Sequence, residues 1–152
     1  MRACCPNTTS LSEARRVRYQ QVIDFAQRYT KAWCSQDAAS VAVFFSTNGS
    51  LSINDGAPAV GRQAITEVAQ SFMTAFPDLR VAMNKVRMKG VRAEYHWILT
   101  GTNTGPGGTG HRIRIRGNET WRFGPDDLII ESLGYFDASE YQRQLESGLP
   151  TP

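Results

Sequence analysis

Several features that would announce a function are missing from this sequence. No apolar run reaches the roughly twenty residues that a membrane-spanning helix needs. The first twenty residues lack the apolar segment of a signal peptide, so the chain reads as cytoplasmic. The 3 cysteines are Cys4, Cys5 and Cys34, an odd count with two adjacent in a polar stretch, which is not a disulfide framework. A redox or metal role for Cys4–Cys5 is the lesser reading, because no further Cys or His lies nearby. The 2 histidines, His96 and His111, have no clustered carboxylate or cysteine around them, so no metal site is expected. A net charge of +3 is too mild a basic bias to argue for nucleic acid. Internal repeats and low-complexity tracts are absent as well.

What remains is the profile of one globular domain over 1–152, with 41% hydrophobic and 20% charged residues and enough length for a real core. Residues 1–9 and 147–152 read as tails. Ser10 and Glu13 have capping-box spacing and predict a helix from Ser10 to about Cys34. Val22, Ala26, Tyr29 and Trp33 share its apolar face. Asp37 predicts the cap of a short helix through Phe45. A turn at Asn48–Gly49 and a strand over Ser50–Asn54 follow, then a loop, then a helix over Arg62–Phe76 that Pro77 stops. Four strands are expected over Leu79–Met88, Val91–Asn103, His111–Phe123 and Leu128–Phe136, and a last helix over Ala138–Leu145. The first of these strands shifts parity near Asn84–Lys85, the sign of a bulge that bends the sheet. Helices gathered on one side of an antiparallel sheet make an α+β domain. Bent, with helices across its mouth, that sheet makes a cone-shaped barrel with a pocket inside.

The stretch HRIRIRGNETWRF, residues 111–123, carries the functional reading. Ile113, Ile115, Gly117, Trp121 and Phe123 fall on one face, and arginines dominate the other. Glu119 breaks the pattern by lying on the apolar face. A carboxylate there must be paired, hydrogen-bonded or protonated. It reads either as a pocket acid or base, or as a structural group bonded to Tyr29, a Trp indole or backbone amides. Trp97, Trp121, Phe72, Met73, Phe76 and Phe136 are expected to line the cone, which suits a small hydrophobic ligand. Asp55 shares the parity of Leu51 and Ile53 and is placed either at the pocket mouth or in an Asx-turn before Gly56. His96 points outward in the chosen register and inward if that register slips by one. The letters of G-x-G-x-x-G at 105–110 join two strands and open no helix, so they bind no pyrophosphate. The arginines of 112–122 are expected to form cross-strand pairs with Glu94 and Glu131. Ile98, Leu133 and Tyr135 on the same outer face leave an apolar patch for a partner.

The order of elements resembles the nuclear-transport-factor-2-like superfamily, and within it the SnoaL-like proteins. The stretches AWCSQDAASVAVFF, GRQAI, AFPDL, WILTGTNTG and YFDASEYQRQL carry the likeness. Relatives in that superfamily include polyketide cyclases, ketosteroid isomerase and limonene epoxide hydrolase, together with binding proteins that catalyse nothing. By resemblance, Tyr29 and Glu119 stand where the isomerases hold an oxyanion. The isomerase base position is Ile53, which cannot abstract a proton, and the epoxide hydrolase Arg–Asp pair and last Asp fall near Trp97, Leu99 and Gly134. The resemblance also implies a homodimer through the outer sheet face. The combined expectation is a cofactor-free isomerase, cyclase or hydrolase, with Glu119 and Tyr29 as catalytic residues. The lining of its pocket would be Trp97, Trp121, Phe72, Phe76, Phe136, Ile53 and Asp55. A non-catalytic binder and a dimeric interaction module with a vestigial cavity are the rivals.

Overall fold

The computed structural model describes residues 8–150, with side chains from residue 11 onward. In chain order the elements are α1 (Thr8–Trp33), α2 (Ala38–Ala42), β1 (Phe45–Ile53), β2 (Ala59–Val60) and α3 (Arg62–Ala75). They continue with β3 (Arg80–Lys89), β4 (Arg92–Thr102), β5 (Arg112–Phe123), β6 (Ile129–Phe136) and α4 (Ala138–Ser147). One six-stranded sheet has the order β2-β1-β6-β5-β4-β3. The α+β class and the meander β3–β6 are as the sequence predicts.

Several boundaries differ. α1 begins at Thr8, so Ser10 lies inside the helix and does not cap it. Cys4 and Cys5 lie outside the described residues, as do the chain ends. α2 stops at Ala42, and Phe45 already belongs to β1. Asn48–Gly49 is no turn: it sits inside β1, where the pairing with β6 shifts register between Phe45 and Ser50. A Cβ on Gly49 would stand 2.7 Å from the Ile129 carbonyl oxygen, so the glycine serves close strand approach. Asn54 and Asp55 both have positive φ and make the turn from β1 to β2, closed by Gly56 N–H donating to the Ile53 carbonyl.

The sheet is mixed and open. β1 runs parallel to β6, because the whole chain between them, and no hairpin, joins the two. β2 and β3 are free edges, so the strands themselves do not close a barrel. The bend comes from bulges. One falls between Met83 and Lys85 in β3, where the parity shift predicts it, and another between Arg122 and Phe123 where β5 meets β6. α1 packs over β3, α3 over β1 and β2, and α4 over β5. Asp137 caps α4 by accepting from the Glu140 N–H at 3.0 Å.

The core forms two clusters. The larger gathers Tyr29, Tyr95, Trp121 and the apolar faces of α1, α2 and α3. The smaller holds Phe76, Leu79, Leu99, Ile113 and Ile115. Trp33 and Trp97 pack against both, so they stand at the seam. The outer face keeps the predicted parity: Glu94, His96 and Ile98 alternate with the inward Ala93, Tyr95, Trp97 and Leu99. Its ion pairs differ from the expected ones. Glu94 pairs with Lys89 at 2.9 Å and lies 3.5 Å from His96, while Glu131 reaches Arg92 at 4.0 Å. The carboxylates therefore bond basic groups on β3 and β4, and the β5 arginines form none of these pairs.

Candidate functional site

The inward parity of β5 puts Glu119 between Gly117 and Trp121, directly opposite Tyr95 on β4 and Gly134 on β6. Gly134 has no side chain to fill that place, and a Cβ there would stand 3.7 Å from Glu119 Cγ. The carboxylate is buried, with 7% of the residue exposed. Three donors converge on a single oxygen. Tyr29 hydroxyl donates to Oε1 at 2.9 Å, Ser132 Oγ at 2.7 Å and Trp121 Nε1 at 3.3 Å. No hydrogen bond reaches Oε2 among the described residues.

This asymmetry fixes where a proton sits. An indole N–H only donates, so Oε1 is held as an acceptor by Trp121. A proton on Oε1 would also require the buried Tyr29 or Ser132 hydroxyl to turn its hydrogen away from the carboxylate. The proton of a neutral Glu119 therefore belongs on Oε2. Burial pushes the Glu119 pKa up, and the bonds from Ser132, Tyr29 and Trp121 oppose that without cancelling it. Tyr29 is pushed well above the ordinary phenol range, first by burial and then by the Glu119 charge. Burial likewise raises Tyr95, which stacks on Trp121 with ring centroids 4.8 Å apart.

Glu119 also lines a hollow at the seam of the two core clusters. Trp33, Phe72, Tyr95, Trp97, Phe136 and Tyr141 surround it with rings, and Leu51, Ile53, Val81, Leu99 and Ile115 complete an apolar wall. Its volume is about 70 Å³. At roughly 10–15 Å³ per water on this measure, that is space for about five to seven waters. Trp97 lies across Gly117, its cross-strand partner, where a Cβ would come within 2.2 Å of the indole ring.

The expected residues separate into two groups. Glu119, Trp97, Phe72, Phe136 and Ile53 line the hollow. Tyr29, Trp121 and Phe76 do not: all three are fully buried, Tyr29 and Trp121 behind the carboxylate and Phe76 in the smaller cluster. The hydroxyl of Tyr29 is turned to Glu119. Asp55 is exposed in its turn and accepts from the Tyr135 hydroxyl at 2.7 Å, one hydrogen bond away from the lining. His96 stays on the outer face. Ser132 went unnoticed in the sequence. Its signal was parity, since it is the polar residue on the inward face of β6. Among the described residues no three His, Cys, Asp or Glu side chains gather to hold a metal.

An open, bulged sheet with helices over its inner face is the nuclear-transport-factor-2-like fold, and solved structures bear this out. One neighbour is a hypothetical protein with ketosteroid isomerase-like fold from Catenulispora acidiphila, in complex with trimethylamine. It has a TM-score of 0.71 and 18% identity over 84% of this chain and 97% of that one. A candidate SnoaL-like polyketide cyclase from Jannaschia sp. CCS1 has a TM-score of 0.75 and 18% identity over 86% and 94%. The epoxide hydrolase/cyclase-like enzyme SalBIII, with a role in pyran ring formation in the polyether salinomycin, has a TM-score of 0.69 and 16% identity over 80% and 95%. No curated protein matches the sequence. Residues 23–145 match the family described as SnoaL-like polyketide cyclase, and the chain belongs to that family.

Proposed function

We propose that the protein is a cofactor-independent enzyme, an isomerase, cyclase or hydrolase, acting on a small hydrophobic molecule bound at the seam hollow. The observation that carries this reading is the asymmetry of Glu119. Oε1 is saturated by three donors, and Oε2 is left on a residue that lines an apolar hollow. A carboxyl group so held gives or takes a proton through one oxygen only, and burial raises its pKa above the ordinary carboxyl range. Tyr29, Ser132 and Trp121 are positioning residues for it. Cyclase- and epoxide hydrolase-like relatives of the same fold support the reaction class.

A binding protein without turnover is the second reading. It is favoured by Ile53, which stands on the lining where the isomerases of this superfamily keep a base. Turnover of a panel of epoxides, enones and lactones separates the two. Wild type is expected to convert one class and Glu119→Gln to lose that activity. Conversion undiminished in Glu119→Gln would end the acid–base reading. Both readings expect a melting temperature that rises with a small apolar ligand. At one hundred times Kd the stabilisation is about 2.7 kcal/mol, and Trp97→Ala is expected to reduce it. A broad apolar library with no effect on melting would remove the binding site itself.

A further inference from the structure

We propose that the seam hollow takes a small alkylammonium group, with the cation against Glu119 Oε2 and its methyl or methylene groups against the surrounding aromatic rings. This rests on the binding reading above and names the ligand class of the same site. Seven aromatic residues line the space, Tyr135 at its rim together with Trp33, Phe72, Tyr95, Trp97, Phe136 and Tyr141. Aromatic rings attract an organic cation through their negative faces, and more strongly where water is excluded. Glu119 is the only acidic residue of the lining, and no Lys, Arg or His lines it among the described residues. Among the described residues the carboxylate therefore has no counter-charge on the lining, although its Oε1 is furnished with three donors that favour the ionised form. An ammonium ligand supplies that missing charge in a site where an uncompensated carboxylate is costly. A quaternary head of about five heavy atoms also fits a space of about five to seven waters.

The pH behaviour follows from the groups that face Glu119. Tyr29 on α1, Tyr95 on β4 and Tyr141 on α4 all have raised pKa values, so they stay neutral in the range of interest. Cys34 is the remaining titratable group felt by Tyr95, and Asp55 is one hydrogen bond outside the lining through Tyr135. A cation binds the ionised carboxylate, so it displaces the Oε2 proton wherever Glu119 is neutral.

Calorimetric titration of the whole chain with tetramethylammonium chloride and with tert-butanol, in buffers of different ionisation enthalpy, tests this. The cation is expected to bind at least tenfold tighter than the neutral alcohol above the Glu119 pKa. Below that pKa its binding should release close to one proton, and the alcohol none. Glu119→Gln should lose the cation preference and the proton release while keeping the alcohol. Asp55→Asn should keep both. If Glu119→Gln fails to fold, Trp97→Leu is the second variant, expected to weaken the cation several-fold more than the alcohol. Alcohol binding without cation preference would overturn the ammonium proposal and leave the binding reading intact. Binding of neither would overturn both. Proton release that vanishes in Asp55→Asn would assign the effect to the wrong carboxylate and overturn the proposal.

Discussion

At the scale of single residues, Glu119 makes the stability of the protein depend on pH. Its folded pKa lies above the ordinary carboxyl range because burial outweighs three hydrogen bonds. The folded state then keeps a proton that the unfolded chain has released. Its contribution is complete below the unfolded value of about 4.3 and is lost as pH rises through the folded pKa. Glu119→Gln keeps the shape and removes the titration. Denaturant melts from pH 5 to 8 are expected to show the variant gaining on wild type as pH rises; a constant difference would refute a raised pKa. The importance of Glu119 was legible from parity alone, since it is the one acid on an apolar face. Its donors were only half legible. Tyr29 and a Trp indole were foreseen, whereas Ser132 depends on the β5–β6 register, and no single strand reports a register. Periodicity names a face and not a depth. This is why Trp121 and Phe76, on the correct faces, proved to be buried behind the hollow instead of lining it.

At the scale of elements, the hollow depends on a pairing between strands. Gly117 on β5 faces Trp97 on β4, and the indole occupies the volume that any larger residue would need. Gly117→Ala sets a methyl group 2.2 Å from the ring, which must swing aside. Such overpacking costs about 1–3 kcal/mol. The expected result is a lower denaturation midpoint with a changed tryptophan emission and a weakened ligand shift; unchanged midpoint and emission would show the ring does not depend on the glycine. The existence of β1 and of β3–β6 and the bulge in β3 were legible because each is written in local chemistry, whereas the two-residue β2 was read as loop. β1 was misread because Asn–Gly marks a hairpin turn in most settings, and here the glycine answers to a strand 80 residues away in sequence. A partner that distant leaves no local trace.

At the scale of the whole molecule, the outer sheet face is the surface to test for assembly. Ile98 and Leu133 are half-buried there and Tyr135 is 38% exposed, an apolar patch among charged neighbours. We propose a homodimer through this face. Wild type is expected to sediment as a dimer at micromolar concentration and Leu133→Glu as a monomer, because the substitution would bury an unpaired charge. A monomeric wild type would reject the interface. The parallel pairing of β1 with β6 also sets an order of events during synthesis. β1 emerges early, yet its only partner before β6 is the two-residue β2. Until the last strand leaves the ribosome, β1 has an unmatched backbone edge, while β3–β5 can already pair with one another. Contacts that span so much sequence form slowly. Pulsed hydrogen exchange during refolding is expected to protect β4 and β5 before β1. Nascent chains released short of residue 129 should therefore be the species that aggregate.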